Sequence, residues 1–81
     1  NTGISPNPAT GLAYLQYTAD KESNISIRIS AIDGKLLFTR TYVVTRGSNR
    51  LQLPIQQLQK GMYLVQVITT GRSETLRLMK Q

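Results

Sequence analysis

The sequence predicts one all-β domain of six or seven short strands, closed as a sandwich or a barrel. Three observations predict it. Turn signals recur roughly every 8–14 residues. The segments between them are rich in β-formers and alternate apolar with polar residues, most clearly where Ile25, Ile27 and Ile29 oppose Ser26, Arg28 and Ser30. No segment carries a helical apolar face, a fixed-period repeat or a low-complexity tract. The 81 residues leave no room for a second core. A chain of this size buries roughly 60–65% of the surface its unfolded form exposes, which corresponds to a net stability of about 4–12 kcal/mol.

Residues 1–11 are rich in Pro, Gly, Asn and Thr, with Ile4 the sole candidate for a core anchor. They read as a linker that ends in a short edge strand, where proline is tolerated. The chain starts at Asn1 with no initiating Met, which reads as a segment of something longer. Residues 12–18 form a strand, and Asp20 to Asn24 a polar turn. Residues 25–32 are the half-buried strand described above.

Asp33-Gly34 then separates two β runs, a strong hairpin signal. A two-residue loop would set Ile29 opposite Phe38 and Ile27 opposite Arg40, aiming Arg40 at the core. A three-residue loop, with Gly34 left-handed, would set Ile29 opposite Leu37 and Ile27 opposite Thr39. Burying an unpaired guanidinium is very costly, so the sequence favours the second. That choice leaves Leu36, Phe38 and Tyr42 on the outer face of the strand 36–44, as an apolar docking patch or as the lining of a second sheet; the exposure of Phe38 decides between the two.

Arg46 to Asn49 reads as a turn, followed by a short strand with Leu51 and Leu53 and a stop at Pro54. Residues 54–60 suggest a single helical turn with Leu58 as its inward anchor. Residues 62–69 are apolar on both faces, as in a central strand. Gly61-Met62-Tyr63 at its start suggests a corner, with glycine freeing the backbone and the tyrosine half-buried by a hydroxyl hydrogen bond. Thr70-Gly71-Arg72 turns the chain into a last strand, 74–80, with Leu76 and Leu78 inward.

The residue inventory argues against catalysis. There is no His and no Cys, so Ser/His and Cys/His nucleophile pairs and thiolate metal sites have no members. The four carboxylates are Asp20, Glu22, Asp33 and Glu74. Asp20 and Glu22 lie in an exposed turn beside Lys21, with nothing apolar to raise a pKa for acid–base work, and no calcium-loop pattern accompanies them. Each glycine stands alone at a predicted turn, so no phosphate-binding loop is present. No cofactor is expected. Ten Lys/Arg give a formal charge of +6, but they are scattered singly around turns, unlike the concentrated, aromatic-interleaved surface of a nucleic-acid binder. No apolar run approaches the ~18 residues of a membrane span.

Several segments resemble a known family. Pro6-Asn7-Pro8-Ala9-Thr10 is similar to an opening PNPAT, and Asp33-Gly34-Lys35 to a central hairpin motif. Gly47-Ser48-Asn49-Arg50-Leu51 resembles a Gly-x-Asn-x-hydrophobic motif. Leu58 to Val65 resembles Leu-x-x-Gly-x-Tyr-hydrophobic-Val, and Leu76, Leu78, Lys80 and Gln81 a terminal Leu-x-Leu-x-Lys-Gln. Five weak motifs in the right order make a specific match to the type A C-terminal sorting domain of proteins exported by the type IX secretion system of Bacteroidota. Ser5 stands where the family usually has an aromatic, and Gly11 where Asp or Asn is common.

The resemblance implies a small Ig-like antiparallel β-sandwich over 4–81, with 1–3 as a linker remnant. It implies an address label on a cargo protein, in transit through the periplasm and then at the cell surface or outside the cell. Its expected partners are the type IX translocon, an outer-membrane carrier protein, and a sortase-like peptidase that removes the domain near or upstream of residues 1–4. Neither nucleic acid nor direct membrane insertion is expected. Gly34, Lys35, Gly61, Tyr63, Leu78, Lys80 and Gln81 are the expected recognition residues, with the last strand forming part of the recognised surface. Exposed edge strands would also allow a dimer. The competing reading is a non-catalytic adhesion or carbohydrate-binding sandwich, which requires an exposed aromatic platform.

Overall fold

The computed structural model describes residues 2–6 and 11–81. Asn7, Pro8, Ala9 and Thr10 of the opening motif lie outside the described residues, as does Asn1. Among the described residues seven strands follow one another: β1 (Thr2–Ser5), β2 (Ala13–Ala19), β3 (Ser23–Ala31), β4 (Leu36–Val44), β5 (Gly47–Leu53), β6 (Gly61–Thr69) and β7 (Arg72–Lys80). They form two antiparallel sheets, β1-β2-β5 and β4-β3-β6-β7, packed as a sandwich. This is a seven-stranded sandwich of the Ig-like kind, with the first, second and fifth strands facing the other four and the fourth strand on the larger sheet.

The period-two pattern becomes the core directly. Ile25, Ile27 and Ile29 from β3, Val65 from β6 and Leu78 from β7 meet Leu15 and Leu53 of the opposite sheet, all essentially without solvent exposure. β6 lies between β3 and β7, which explains why residues 62–69 are apolar on both faces.

Four local features differ from the sequence reading. First, an N-terminal edge strand forms at the start of its segment, Thr2–Ser5; residues 7–10, where part of the expected strand falls, lie outside the described residues. Ile4 pairs across from Leu15 there, and the one apolar residue of the segment is thereby used. Second, β5 begins at Gly47, so the turn is Thr45-Arg46. Asn49 holds it: its side-chain amide donates to the carbonyls of Thr45 and Gly47 at 2.9 and 3.0 Å, and its Oδ1 accepts from the Thr45 N–H at 3.0 Å. Third, no helical turn forms after Pro54. The Leu58 N–H bonds the Ile55 carbonyl in a β-turn, and Ile55 is the fully buried anchor, with Leu58 only half-buried.

The fourth difference is the hairpin register. Ala31 and Lys35 close a three-residue loop, with Gly34 at φ 97°. The loop length expected from sequence is present, but a bulge between Ile29 and Ser30 on the pairing with β4 resets the register. Ile29 lies opposite Phe38 and Ile27 opposite Arg40. Phe38, Arg40 and Tyr42 therefore share the inner side of β4. The penalty for a buried guanidinium does not arise, because β4 is an edge strand and Arg40 is exposed. Its guanidinium reaches back over the Phe38 and Tyr42 rings at 5.6 and 5.8 Å while its tip stays in solvent.

Candidate functional site

The expected recognition residues separate into two groups. Gly61, Tyr63, Leu78 and Lys80 gather at one end of the sandwich, where β6 starts and β7 finishes. Gly61 pairs with Lys80, and Tyr63 with Leu78. Gly34 and Lys35 sit in the β3–β4 loop, where the Lys35 N–H bonds Asp33 Oδ1 at 3.0 Å. Gln81 is exposed just beyond β7.

Within the first group each residue has a structural task. Gly61 has φ 150°, a conformation that residues with a Cβ rarely adopt. A Cβ there would meet nothing within 4 Å, so the constraint is the backbone and not space. Gly61→Ala is accordingly expected to destabilise the domain by about 1–2 kcal/mol without a steric clash, read as a shift in the urea midpoint with an unchanged slope. Tyr63 is 8% exposed and its hydroxyl donates to the Gln59 carbonyl at 2.6 Å. This tyrosine corner, at the start of the sixth strand and bonded to backbone just upstream, is a device of Ig-like folds in general. Leu78 fills the core beneath it.

Lys80 follows from the strand period. It continues the inward face set by Leu76 and Leu78, and is 7% exposed. A buried lysine needs partners for its three donors. The loop between β5 and β6 supplies them: Lys80 Nζ donates to the carbonyls of Ile55 at 2.7 Å, Leu58 at 3.0 Å and Gln56 at 3.4 Å. Residues 54–60 have few ladder bonds of their own, so the C-terminal lysine and the tyrosine corner tie this loop to the sandwich. The sequence analysis expects Lys80 in the recognised surface; its side chain is 7% exposed, in keeping with the inward parity that the alternation of β7 gives it.

The proposed patch of Leu36, Phe38 and Tyr42 is divided. Leu36 pairs with Ser30 on the outer face and is exposed, whereas Phe38 and Tyr42 pack partly against the core. The Tyr42 hydroxyl also donates to the Gln52 carbonyl at 2.7 Å, joining the two sheets. These residues do not share one face. The five aromatics offer no open platform either. Arg50 covers Tyr14 at 4.0 Å, Arg40 covers Phe38 and Tyr42, Tyr17 packs against the core and Tyr63 is buried.

Among the described residues no group of His, Cys, Asp and Glu could hold a metal ion. Among the same residues no helix is long and apolar enough to cross a membrane. The family model of the secretion system C-terminal sorting domain matches residues 3–81. The chain belongs to this family. No curated protein matches it. As a sorting domain it is a C-terminal signal for type IX secretion, in a family of non-catalytic targeting modules that interact with the secretion machinery. The protein carrying it is exported to the cell surface or the extracellular space. Within the sorting domain, Gly61, Tyr63, Leu78 and Lys80 shape one end of the molecule, whereas Gly34, Lys35 and Gln81 are exposed.

Proposed function

We propose that the folded domain is read in the periplasm by the type IX translocon and an outer-membrane carrier protein, and that a sortase-like peptidase then cuts it from the cargo near or upstream of residues 1–4. The domain is a substrate in that reaction and performs no catalysis; the lack of His and Cys supports this. The observation that carries the reading is the Lys80 tie. The terminal motif acts from inside the sandwich, holding the 55–58 backbone in one shape. Recognition then falls on a rigid backbone surface, which suits a receptor that must accept many sequences.

The test is a reporter with a periplasmic export signal, fused ahead of this chain and expressed in a host with the type IX system. The intact fusion is expected at the cell surface. Deletion of residues 77–81 removes both Leu78 and Lys80, and is expected to leave the reporter in the periplasm with the domain unfolded by circular dichroism. Removal of Gln81 together with Lys35→Ala leaves the core intact and is expected to reduce export with an unchanged spectrum. Normal surface display of the 77–81 deletion would overturn the reading.

A further inference from the structure

The two sheets are joined differently on their two sides. On one side β1 and β7 approach each other, and Thr2 Oγ1 donates to Glu74 Oε1 at 3.3 Å. On the other side β4 and β5 both end their sheets, with a groove of about 380 Å³ between them lined by Arg40, Tyr42, Arg50, Leu51, Gln52 and Pro54. Tyr42 caps one carbonyl of the β5 edge at Gln52. β4 spans nine residues and ends its sheet, so its backbone donors and acceptors on that side face no further strand.

The charge on this side is of one sign. Between residues 34 and 73 the chain has no Asp or Glu, while Arg40, Arg46 and Arg50 lie on β4, β5 and their connecting turn. Neither Arg40 nor Arg50 pairs with a carboxylate among the described residues; their guanidiniums rest on aromatic rings instead. Stacking orients a guanidinium and leaves its edge donors available.

We propose that the open β4 edge binds an extended acidic polypeptide segment as an added strand, with carboxylates at alternate positions facing Arg40 on the groove side. Strand addition uses the backbone edge for affinity and alternate side chains for specificity. The register places Arg40 on the inner side of β4, over the groove, and Thr39, Thr41 and Val43 on the outer side. A fitting segment therefore alternates carboxylates inward with β-branched residues outward, the latter beside Val43, which is 67% exposed. A second copy of this chain fits poorly, because β4 against β4 brings arginines together with no carboxylate to pair them. Single-stranded nucleic acid fits poorly too, since the rings it would stack on are already covered.

The experiment titrates the isotopically labelled 81-residue chain with a nine-residue peptide alternating Glu and Val or Thr, followed by amide chemical shifts. Shifts along 36–44, an affinity reduced roughly tenfold or more by Arg40→Gln, and an unchanged affinity for Lys21→Gln are expected. A Gln-for-Glu peptide and a peptide N-methylated at alternate residues are both expected to bind at least tenfold more weakly. Three results would overturn the proposal: equal binding of the N-methylated peptide or of an oligothymidine, shifts centred on β7, or concentration-dependent self-association through β4. Absence of binding at millimolar peptide would do the same. These outcomes do not depend on the export assay, so either result can fail without the other.

Discussion

Lys80→Met is expected to destabilise the domain by about 2–3 kcal/mol and to lower its Tm by roughly 10–20 °C. Methionine keeps most of the apolar stem, so packing along β7 changes little. What is lost is the donor to the carbonyls of Ile55, Gln56 and Leu58. Hydrogen bonds to a charged group contribute about 1.5–3 kcal/mol in such settings, and the Ile55 carbonyl is left buried without its side-chain donor. Against a total of about 4–12 kcal/mol this is a large share. Thermal and urea denaturation measure the loss, and hydrogen exchange of residues 55–60 should show where it acts. The loop is expected to open before the sheets do, because without Lys80 it is held to the sandwich mainly by the Ile55 side chain and the Tyr63–Gln59 hydrogen bond. A loss below about 0.5 kcal/mol is the value for an ordinary surface lysine, and would refute the tie.

The second large effect is expected at Leu78→Ala, a loss of about 3–5 kcal/mol. Leu78 is fully buried and lies across the ladder from Tyr63. The cavity would open beneath the tyrosine corner, where the surrounding strands are hydrogen-bonded on β6 and cannot collapse into it. A domain of this size would be brought near its unfolding midpoint at 37 °C. Leu76→Ala, at a half-buried position on the same face, is expected to cause a markedly smaller loss. Comparison of these variants with Lys80→Met in the reporter assay separates folding from recognition. Framework residues should reduce export in proportion to the stability they remove. An export defect in Lys80→Met far greater than its stability loss would instead mark Lys80 as a direct contact.

Much of this was legible in the amino-acid order. The alternation at Ile25, Ile27 and Ile29 marked the inward face of β3, the two-faced apolarity of 62–69 marked β6 as central, and Gly61-Met62-Tyr63 marked a corner that the Tyr63–Gln59 hydrogen bond closes. The family motifs, read in order, agreed with the match over residues 3–81. The β4 register differs from the sequence expectation for a definite physical reason. An inward position does not mean burial at a sheet edge, where a side chain such as Arg40 can pass out along the groove to water. The bulge that restores the register leaves no pattern in the residues 30–37, because it depends on how the twisted pair meets the rest of the sheet.

The sequence by itself determined the all-β class, the buried face of strands such as β3 and β7, the absence of the side chains that nucleophilic catalysis and thiolate metal binding use, and the family. These follow from period, turn chemistry and inventory, which are local properties. Only the tertiary structure decided which inward positions are covered and by what. Leu78 and Lys80 have the same parity on β7, yet one meets a hydrocarbon core and the other meets three backbone carbonyls. Parity gives a direction for a side chain. What lies in that direction depends on the loop from β5 to β6, some twenty residues earlier in the chain, folding back over the end of the sandwich.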